Sequence, residues 1–467
     1  MKASCLKPTD KNLLDTFEND YIGRKEDVIN FVRLICAIEG GVSIALDAKW
    51  GEGKTFFIKQ TQMMLDAHND YGLDESAHGL LDVDVAERLQ GIFSKVYPDF
   101  SVPPFVTVYY DAWEHDNDED PILSLVYCII NSGIVSLDSK RLKGVLKQLS
   151  SIVADIIDGV SKLPCTKSLR DIVNLINQKE ELSEIDKLVS CIRENRDIKA
   201  LINEFFIALL NEKEQGVIIF IDELDRCKPL FAVKLLERVK HYFSNDKIRF
   251  VFAINKEEIQ HTIKCVYGEG YDGARYLDRF FDYSISLPNY NKEKLYSYLM
   301  KDSTNRESAL IKDISACFGL SIREIIKMKD ICQVALSGLH GSKYRDSFDY
   351  EDYIKNSYLV IYLMVGLRMY SISDYNLLIS GNGLQIFKDY VKGISELKSF
   401  YAEVFYGYRK EYEEKDFDAK LGNYYEIMFM SRNQYLEGQI GKINVSFRES
   451  EDIKKMVSLM SRLCDLK

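Results

Sequence analysis

A short apolar run, a tight loop with two glycines and a helix-forming segment follow one another near the start of the chain. Residues 44–57 read IALDAKWGEGKTFF. Glycines let the backbone curl so that successive N–H groups point inward, the helix N-terminus adds positive potential, and Lys54 adds a full charge. Polyphosphate is the ligand that suits this arrangement. The segment therefore predicts a phosphate-binding P-loop between a β-strand and an α-helix.

The P-loop pattern G-x-x-x-x-G-K-[ST] has Ala48 in place of its first glycine. We expect the loop to form if Ala48 has a negative φ, whereas a need for positive φ at this position would weaken phosphate binding. Lys54 is expected to hold the β- and γ-phosphates. The residues expected to contact the nucleotide are Trp50, Gly51, Glu52, Gly53, Lys54, Thr55 and Phe56.

A second stretch carries acidic residues at the end of an apolar run, and residues 216–227 read GVIIFIDELDRC. The run predicts a parallel strand that is buried on both faces and ends at a charged edge. Downstream of a P-loop, this is the Walker B position. Asp222 is expected to hold Mg²⁺ together with Thr55, and Glu223 to orient or deprotonate the attacking water.

Three more apolar runs, residues 105–110, 248–254 and 284–287, predict further strands of the same sheet. The first continues into Asp-Ala-Trp-Glu and brings Trp113 with polar groups to the active edge of the sheet. His115 follows in an acidic loop. We interpret it as a surface histidine rather than a catalytic one, because no motif surrounds it.

Three polar residues near the last two strands each have two interpretations. Asn255 either senses the γ-phosphate from the strand next to Walker B or caps the helix that follows. Arg275 and Arg279 are one helical turn apart, so both face a neighbouring subunit's γ-phosphate if their segment is helical. Surface ion pairing is the alternative for both arginines.

Two further arginines are also open to two interpretations. Arg24 precedes the first strand, where many P-loop ATPases contact the adenine, and a plain surface turn is the alternative. Arg323 follows Ser321, which forms a predicted capping box with Glu324. Arg323 therefore lies in the first turn of a predicted lid helix, where it reaches phosphate or faces solvent.

Size and charge exclude some classes of protein. A chain of 467 residues predicts two or three packed units, and a net charge of −11 gives no general attraction to nucleic acid or anionic membrane. Ten cysteines without a C-x-x-C pair indicate reduced thiols and argue against structural zinc. Without an apolar leader or a clear membrane span, the chain is expected to be cytoplasmic.

Taken together and in this order, the motifs resemble those of the KAP family of P-loop NTPases. The segments that carry the resemblance are KWGEGKT at 49–55, DAWE at 111–114, IDELDRC at 221–227, YLDR at 276–279 and the lid helix at Arg323. They extend over about residues 20–328. Three departures are Ala48, Glu223 where aspartate is usual, and an amphipathic insertion where many relatives carry membrane-spanning helices.

The resemblance implies an α/β fold, a P-loop NTPase three-layer sandwich with a parallel sheet, a large helical insertion and an all-helical C-terminal lid and domain. The expected organisation is a helical linker at 1–40, a core at 41–290 with its insertion at about 131–212, a lid at 291–345 and a mostly helical domain of unknown role at 346–467.

The resemblance also implies binding and hydrolysis of ATP with Mg²⁺, and bacterial members often belong to anti-phage defence systems. The leading hypothesis is an ATPase that couples ATP to conformational change or assembly, as a homo-oligomer or with an effector protein. The alternative is a nucleotide-dependent scaffold or switch with negligible hydrolysis that recruits or regulates an effector. A nucleic-acid motor or sensor is a third possibility, against which the acidic balance argues.

Overall fold

The computed structural model describes residues 7–69, 82–118, 120–131, 144–145, 198–210, 214–242, 245–301, 305–340, 350–406, 412–429, 438–440 and 443–445. The chain divides into two compact units, and the division falls between Asn291 and Lys292. The first unit contains the large sheet and the P-loop. The second consists of helices and one small pair of strands.

A five-stranded parallel sheet with the strand order β2-β3-β4-β1-β5 forms the centre of the first unit. Its strands are β1 (Val42–Asp47), β2 (Phe105–Asp111), β3 (Gly216–Asp222), β4 (Ile248–Ile254) and β5 (Tyr283–Ser286). β3 and β4 are buried along their whole length, as the continuous apolar runs predict. Because all strands run in one direction, the residues that follow β1, β2, β3 and β4 meet at the same edge.

Helices cover both faces of this sheet. They are α1 (Asp10–Glu18), α2 (Lys25–Ala37), α3 (Lys54–Asp66), α4 (Val83–Val96), α5 (Pro121–Asn131), α6 (Ile198–Leu209), α7 (Pro229–Tyr242), α8 (Lys256–Tyr267) and α9 (Gly273–Leu277). Ile219 packs in one core with Leu125 and Leu235, whereas Phe220 packs in another with Ile58 and Leu89. Neighbouring strand residues point to opposite faces, so this is the expected three-layer sandwich.

The predicted helical insertion at about 131–212 lies mostly outside the described residues. Within them, α5 enters the insertion and α6 leaves it. Both helices pack on the same face of the sheet, through Leu125 and Ile129 of α5 and Phe205 of α6.

The second unit is largely helical. Its helices are α10 (Lys292–Leu299), α11 (Asn305–Cys317), α12 (Ile322–His340), α13 (Tyr350–Tyr370), α14 (Ile372–Ile379), α15 (Leu384–Gly393), α16 (Ser395–Tyr406) and α17 (Glu414–Phe429). Phe387, Tyr401 and Tyr424 form an aromatic core between the last three helices. The sequence at 439–447 is compatible with a small hairpin, and the structure contains one formed by β6 (Gly438–Ile440) and β7 (Ile443–Val445), which pair antiparallel.

The sequence of helix α13 is apolar and rich in tyrosine, which predicts a position in the core or at a subunit interface. Residues 360–365 of this helix are all buried. Within the parts of the chain that the structure describes, no helix combines the length and the apolar character needed to cross a membrane. The apolar spacing at residues 453–463 is typical of an amphipathic helix, and these residues lie outside the part of the chain that the structure describes.

Candidate functional site

The P-loop joins the end of β1 to the start of α3, and its glycines have the backbone angles that the motif requires. Gly51 has a φ of +83° and Gly53 a φ of +91°, in the left-handed region that favours glycine. Ala48 is not among the described residues with positive φ, and its N–H donates to the carbonyl of Ile254 at 3.1 Å. The condition set for Ala48 by the sequence is therefore met, and the loop forms without the first glycine.

Lys54 is buried at the first position of α3. Its Nζ donates to the carbonyl oxygen of Ala48 at 2.8 Å and lies 3.6 Å from Oδ2 of Asp225. The ammonium group therefore interacts with carbonyl and carboxylate oxygens of the protein. Phe56, which was expected to contact the nucleotide, has its side chain in the core under the sheet, so only its backbone is available at the loop.

Arg24 supports the P-loop from outside the motif. Its Nη1 donates to the carbonyl of Glu52 at 2.7 Å and its Nε to the carbonyl of Pro288 at 2.7 Å, and the side chain is buried. Burial lowers the pKa of the Arg24 guanidinium to about 10. The surface-turn interpretation of Arg24 is wrong, since the residue ties the P-loop to the segment after β5.

Asp222 lies at the carboxyl end of β3, beside the start of α3. It accepts hydrogen bonds from the hydroxyl of Thr55, from Tyr109 Oη at 3.0 Å and from the N–H of Glu223 at 2.9 Å. Burial raises the pKa of Asp222, although these hydrogen bonds act in the opposite direction. A hydroxyl and a carboxylate are thus adjacent, as expected for the pair Thr55 and Asp222.

Glu223 follows Asp222 with a φ of +57°, an uncommon angle for a residue other than glycine. Its Oε2 lies 2.6 Å from Nε of Arg226. Burial, with the neighbouring charge of Asp222, raises the pKa of Glu223 to about 7, and Arg226 acts to lower it. The guanidinium of Arg226 also lies 5.4 Å from the ring centre of Trp113, which is 52% exposed. Sequence reasoning missed Arg226.

Asp225 is a second site residue that sequence reasoning missed. Its Oδ2 accepts a hydrogen bond from the indole Nε1 of Trp50 at 2.6 Å and another from the backbone N–H of Asn255 at 3.1 Å. The side-chain oxygen of Asn255 accepts from the N–H of Glu257 at 3.2 Å, which confirms the helix-cap interpretation of Asn255. A role of Asn255 as a γ-phosphate sensor stays a prediction.

The arginines expected to act in trans are both exposed. Arg275 lies within α9, but Arg279 follows the end of that helix and its N–H donates to the carbonyl of Tyr276 at 3.2 Å. The condition of one helical segment carrying both is therefore not met, since α9 stops at Leu277, and a role in trans stays a prediction for each arginine. Arg323 is exposed in the first turn of α12, in the second unit.

One of the two hydrogen bonds of the predicted capping box is found at the start of α12. The carboxylate of Glu324 accepts from the backbone N–H of Ser321 at 2.8 Å, as the motif requires. The hydroxyl of Ser321 donates to the same carboxylate oxygen, also at 2.8 Å.

His115 is partly buried rather than at the surface. Its ring stacks on Tyr110 at a centroid distance of 5.1 Å, and its Nδ1 lies 3.5 Å from Oδ2 of Asp118. Hydrogen bonding to Asp118 and to Cys128 raises the pKa of His115 to about 10. The surface interpretation was wrong because the loop after β2 folds back over Tyr110.

A parallel sheet with a P-loop after β1 and an acidic pair after β3 defines a P-loop nucleotide-binding domain. The sequence profile of the KAP family P-loop domain matches residues 26–359, so the chain belongs to the KAP family. A search of curated proteins finds no match. Among solved structures, the Aeropyrum pernix Orc1 protein in complex with DNA matches at 12% identity over 96% of this chain and 94% of that chain, with a TM-score of 0.29.

Proposed function

We propose that this KAP-family protein is a Mg²⁺-dependent ATPase. The observation that carries the proposal is the convergence of Lys54, Thr55, Asp222 and Glu223 where β1 and β3 end. The hydroxyl of Thr55 hydrogen-bonds to Asp222, and Glu223 is the next residue. A phosphate-binding loop, a pair of oxygen ligands and an acid are thus adjacent.

The oxygen ligands fit a magnesium ion. Mg²⁺ prefers hydroxyl and carboxylate oxygens together with phosphate oxygens and water, and Thr55 and Asp222 provide one group of each protein type. Burial raises the pKa of Asp222, so a cation beside it would favour its ionised form. When bound, Mg²⁺ supplies charge neutralisation to the phosphates.

The chain's own residues would act as follows. Lys54 leaves the carbonyl of Ala48 and binds the β- and γ-phosphates, while the loop N–H groups orient them. Glu223 positions the attacking water and accepts its proton, for which a pKa of about 7 is well suited. To reach that water, the Glu223 carboxylate has to separate from Arg226.

We propose that ATP is coupled to conformational change or assembly, with a second copy of the chain or an effector protein. Arg275 and Arg279 are exposed and neither has an ion-pair partner among the described residues, which leaves their guanidinium groups available for a partner's γ-phosphate. Asn255 and Arg323 remain proposed contacts to the γ-phosphate. Family membership favours a cytoplasmic role in anti-phage defence.

A scaffold or switch with negligible hydrolysis is the second candidate function. The 2.6 Å ion pair between Glu223 and Arg226 favours it, since the glutamate is already occupied by a cation. The two functions differ in turnover, because only the ATPase releases phosphate over many cycles.

The test uses the full chain, with ATP and GTP, and measures phosphate release, nucleotide affinity and solution mass. Lys54→Ala should lose nucleotide binding, whereas Glu223→Gln should keep binding and stop turnover. The Glu223→Gln change keeps the shape of the side chain and removes its charge, and with it the ability to take a proton and the ion pair to Arg226. Turnover at the wild-type rate in Glu223→Gln would remove Glu223 from the mechanism, and tight binding by a wild-type chain without turnover would favour the switch.

A further inference from the structure

Asp225 is a buried carboxylate that the roles described so far do not use. It lies in the single 3₁₀ turn Leu224–Arg226 that follows β3, and its side chain is 1% exposed. Three groups surround Oδ2: the Trp50 indole N–H at 2.6 Å, the Asn255 N–H at 3.1 Å and the Lys54 ammonium at 3.6 Å. The other oxygen, Oδ1, is buried and has no hydrogen-bond donor among the described residues.

This arrangement leaves the charge of Asp225 incompletely compensated. A buried carboxylate is stabilised by two or more donors on each oxygen or by a nearby cation, and here one oxygen has no donor. Lys54 is the cation within 4 Å of it, and that ammonium group donates its shortest hydrogen bond to the carbonyl of Ala48. Lys54 and Asp225 thus partly compensate each other's charge.

A polyphosphate that enters the loop changes this balance. Phosphate oxygens attract Lys54, and the carboxylate of Asp225 then retains only the neutral donors of Trp50 and Asn255. One of those donors belongs to the P-loop and the other to the tip of β4. A change in the interactions of Asp225 therefore affects both the P-loop and the end of β4.

We propose that Asp225 is a positioning residue that acts as the internal counter-ion of Lys54 in the P-loop. Its charge opposes nucleotide binding, and its two hydrogen bonds transmit occupancy of the loop to Trp50 and to the end of β4. The inference rests on the proposed function, because it requires that a nucleotide binds at this loop.

The substitution Asp225→Asn removes the negative charge but keeps an acceptor for the two hydrogen bonds. Its amide oxygen can replace Oδ2 as the acceptor for Trp50 and Asn255, and its NH₂ group takes the place of Oδ1, which has no donor to lose. Trp50→Phe is the matched opposite change, because it removes one donor and leaves the charge in place.

The experiment measures ADP affinity by titration calorimetry on the full chain, so that hydrolysis plays no part. We expect Asp225→Asn to bind ADP more tightly than the wild type, by about threefold to tenfold. Trp50→Phe should not tighten binding. Equal or weaker binding by Asp225→Asn would overturn the counter-ion role, and Lys54→Ala serves as the control that abolishes binding.

A second measurement needs no change at Asp225. The chain has two tryptophans, so Trp113→Phe leaves Trp50 as the single emitter. ADP should shift the emission of Trp50 in this variant. The indole N–H donates to the carboxylate of Asp225, and this carboxylate loses its contact with Lys54 when phosphate binds. Absence of a shift in a variant that binds ADP would overturn the transmission. A wild-type chain that binds no nucleotide would overturn the proposed function and this inference together.

Discussion

Replacing Gly53 by alanine tests the coupling between the P-loop backbone and Arg24. Gly53 has a φ of +91°, and a Cβ at this position would lie 3.3 Å from Nη1 of Arg24. The left-handed angle costs an alanine about 1–2 kcal/mol. Displacing Nη1 weakens its 2.7 Å hydrogen bond to Glu52, which as a charged hydrogen bond is worth about 1.5–3 kcal/mol. We therefore expect Gly53→Ala to lower the free energy of unfolding by about 2–4 kcal/mol.

Gly91 provides the matched control for this change. It is an exposed glycine inside helix α4, and an added Cβ would meet no atom within 4 Å. Gly91→Ala should therefore raise the free energy of unfolding by about 0.5–1 kcal/mol.

Thermal unfolding of the full chain, followed by tryptophan emission, measures the first unit because Trp50 and Trp113 both belong to it. ADP titration of the same variants reports the effect on the site. Gly53→Ala should unfold earlier and bind ADP more weakly, and Gly91→Ala should bind like the wild type. If Gly53→Ala unfolds no earlier than the wild type, the strain attributed to this position is refuted.

Three further predictions concern other parts of the chain. Gly216→Ala should destabilise the first unit by about 2–3 kcal/mol in chemical denaturation, since its Cβ would lie 2.3 Å from a backbone carbonyl oxygen. A Gly216→Ala variant with the same free energy of unfolding as the wild type would contradict this close contact between Gly216 and the Lys247 carbonyl. Tyr425→Phe should lower the melting temperature, because the buried N–H of Gly383 loses its acceptor at 2.7 Å, at a cost of about 1–3 kcal/mol. An unchanged melting temperature would argue against a stabilising hydrogen bond between Gly383 and Tyr425. The bond to Asp118 raises the pKa of His115 to about 10, so His115 stabilises the fold fully below pH 6.5 and loses this contribution as the pH rises towards 10. The stability difference between wild type and His115→Gln should shrink over that range, and a constant difference would exclude the ion pair.

The sheet and the two nucleotide motifs could be predicted because each depends on residues close together in sequence. An apolar run followed by carboxylates is sufficient to place β3 and Asp222, and a glycine-rich loop before a lysine is sufficient to place Lys54. The parallel direction of the strands then brings their ends to one edge. This is why Thr55 and Asp222, predicted from separate segments, are adjacent in the structure.

Several contacts that the sequence did not predict join residues far apart in the chain. Trp50 donates a hydrogen bond to Asp225, which is 175 positions away in the sequence. Arg24 donates one to the carbonyl of Pro288, which is 264 positions away. No local pattern encodes such a pairing, because an aspartate in a turn or an arginine before a helix has many possible partners. The end of α9 before Arg279 could not be predicted for a different reason, because helix ends depend on a few weak local preferences.

The position of β1 in the sheet also constrains the order in which the protein can fold. Both neighbours of β1, the strands β4 and β5, come later in the chain, and Val42 pairs with Arg249 about two hundred residues on. During synthesis, the complete P-loop sequence is therefore present long before β4 and β5, the strands that pair with β1, have been made. Contacts of such long range form slowly, because the intervening chain loses much entropy before they stabilise it. The strand pairing that fixes the start of the P-loop can thus form only after β4 has been synthesised.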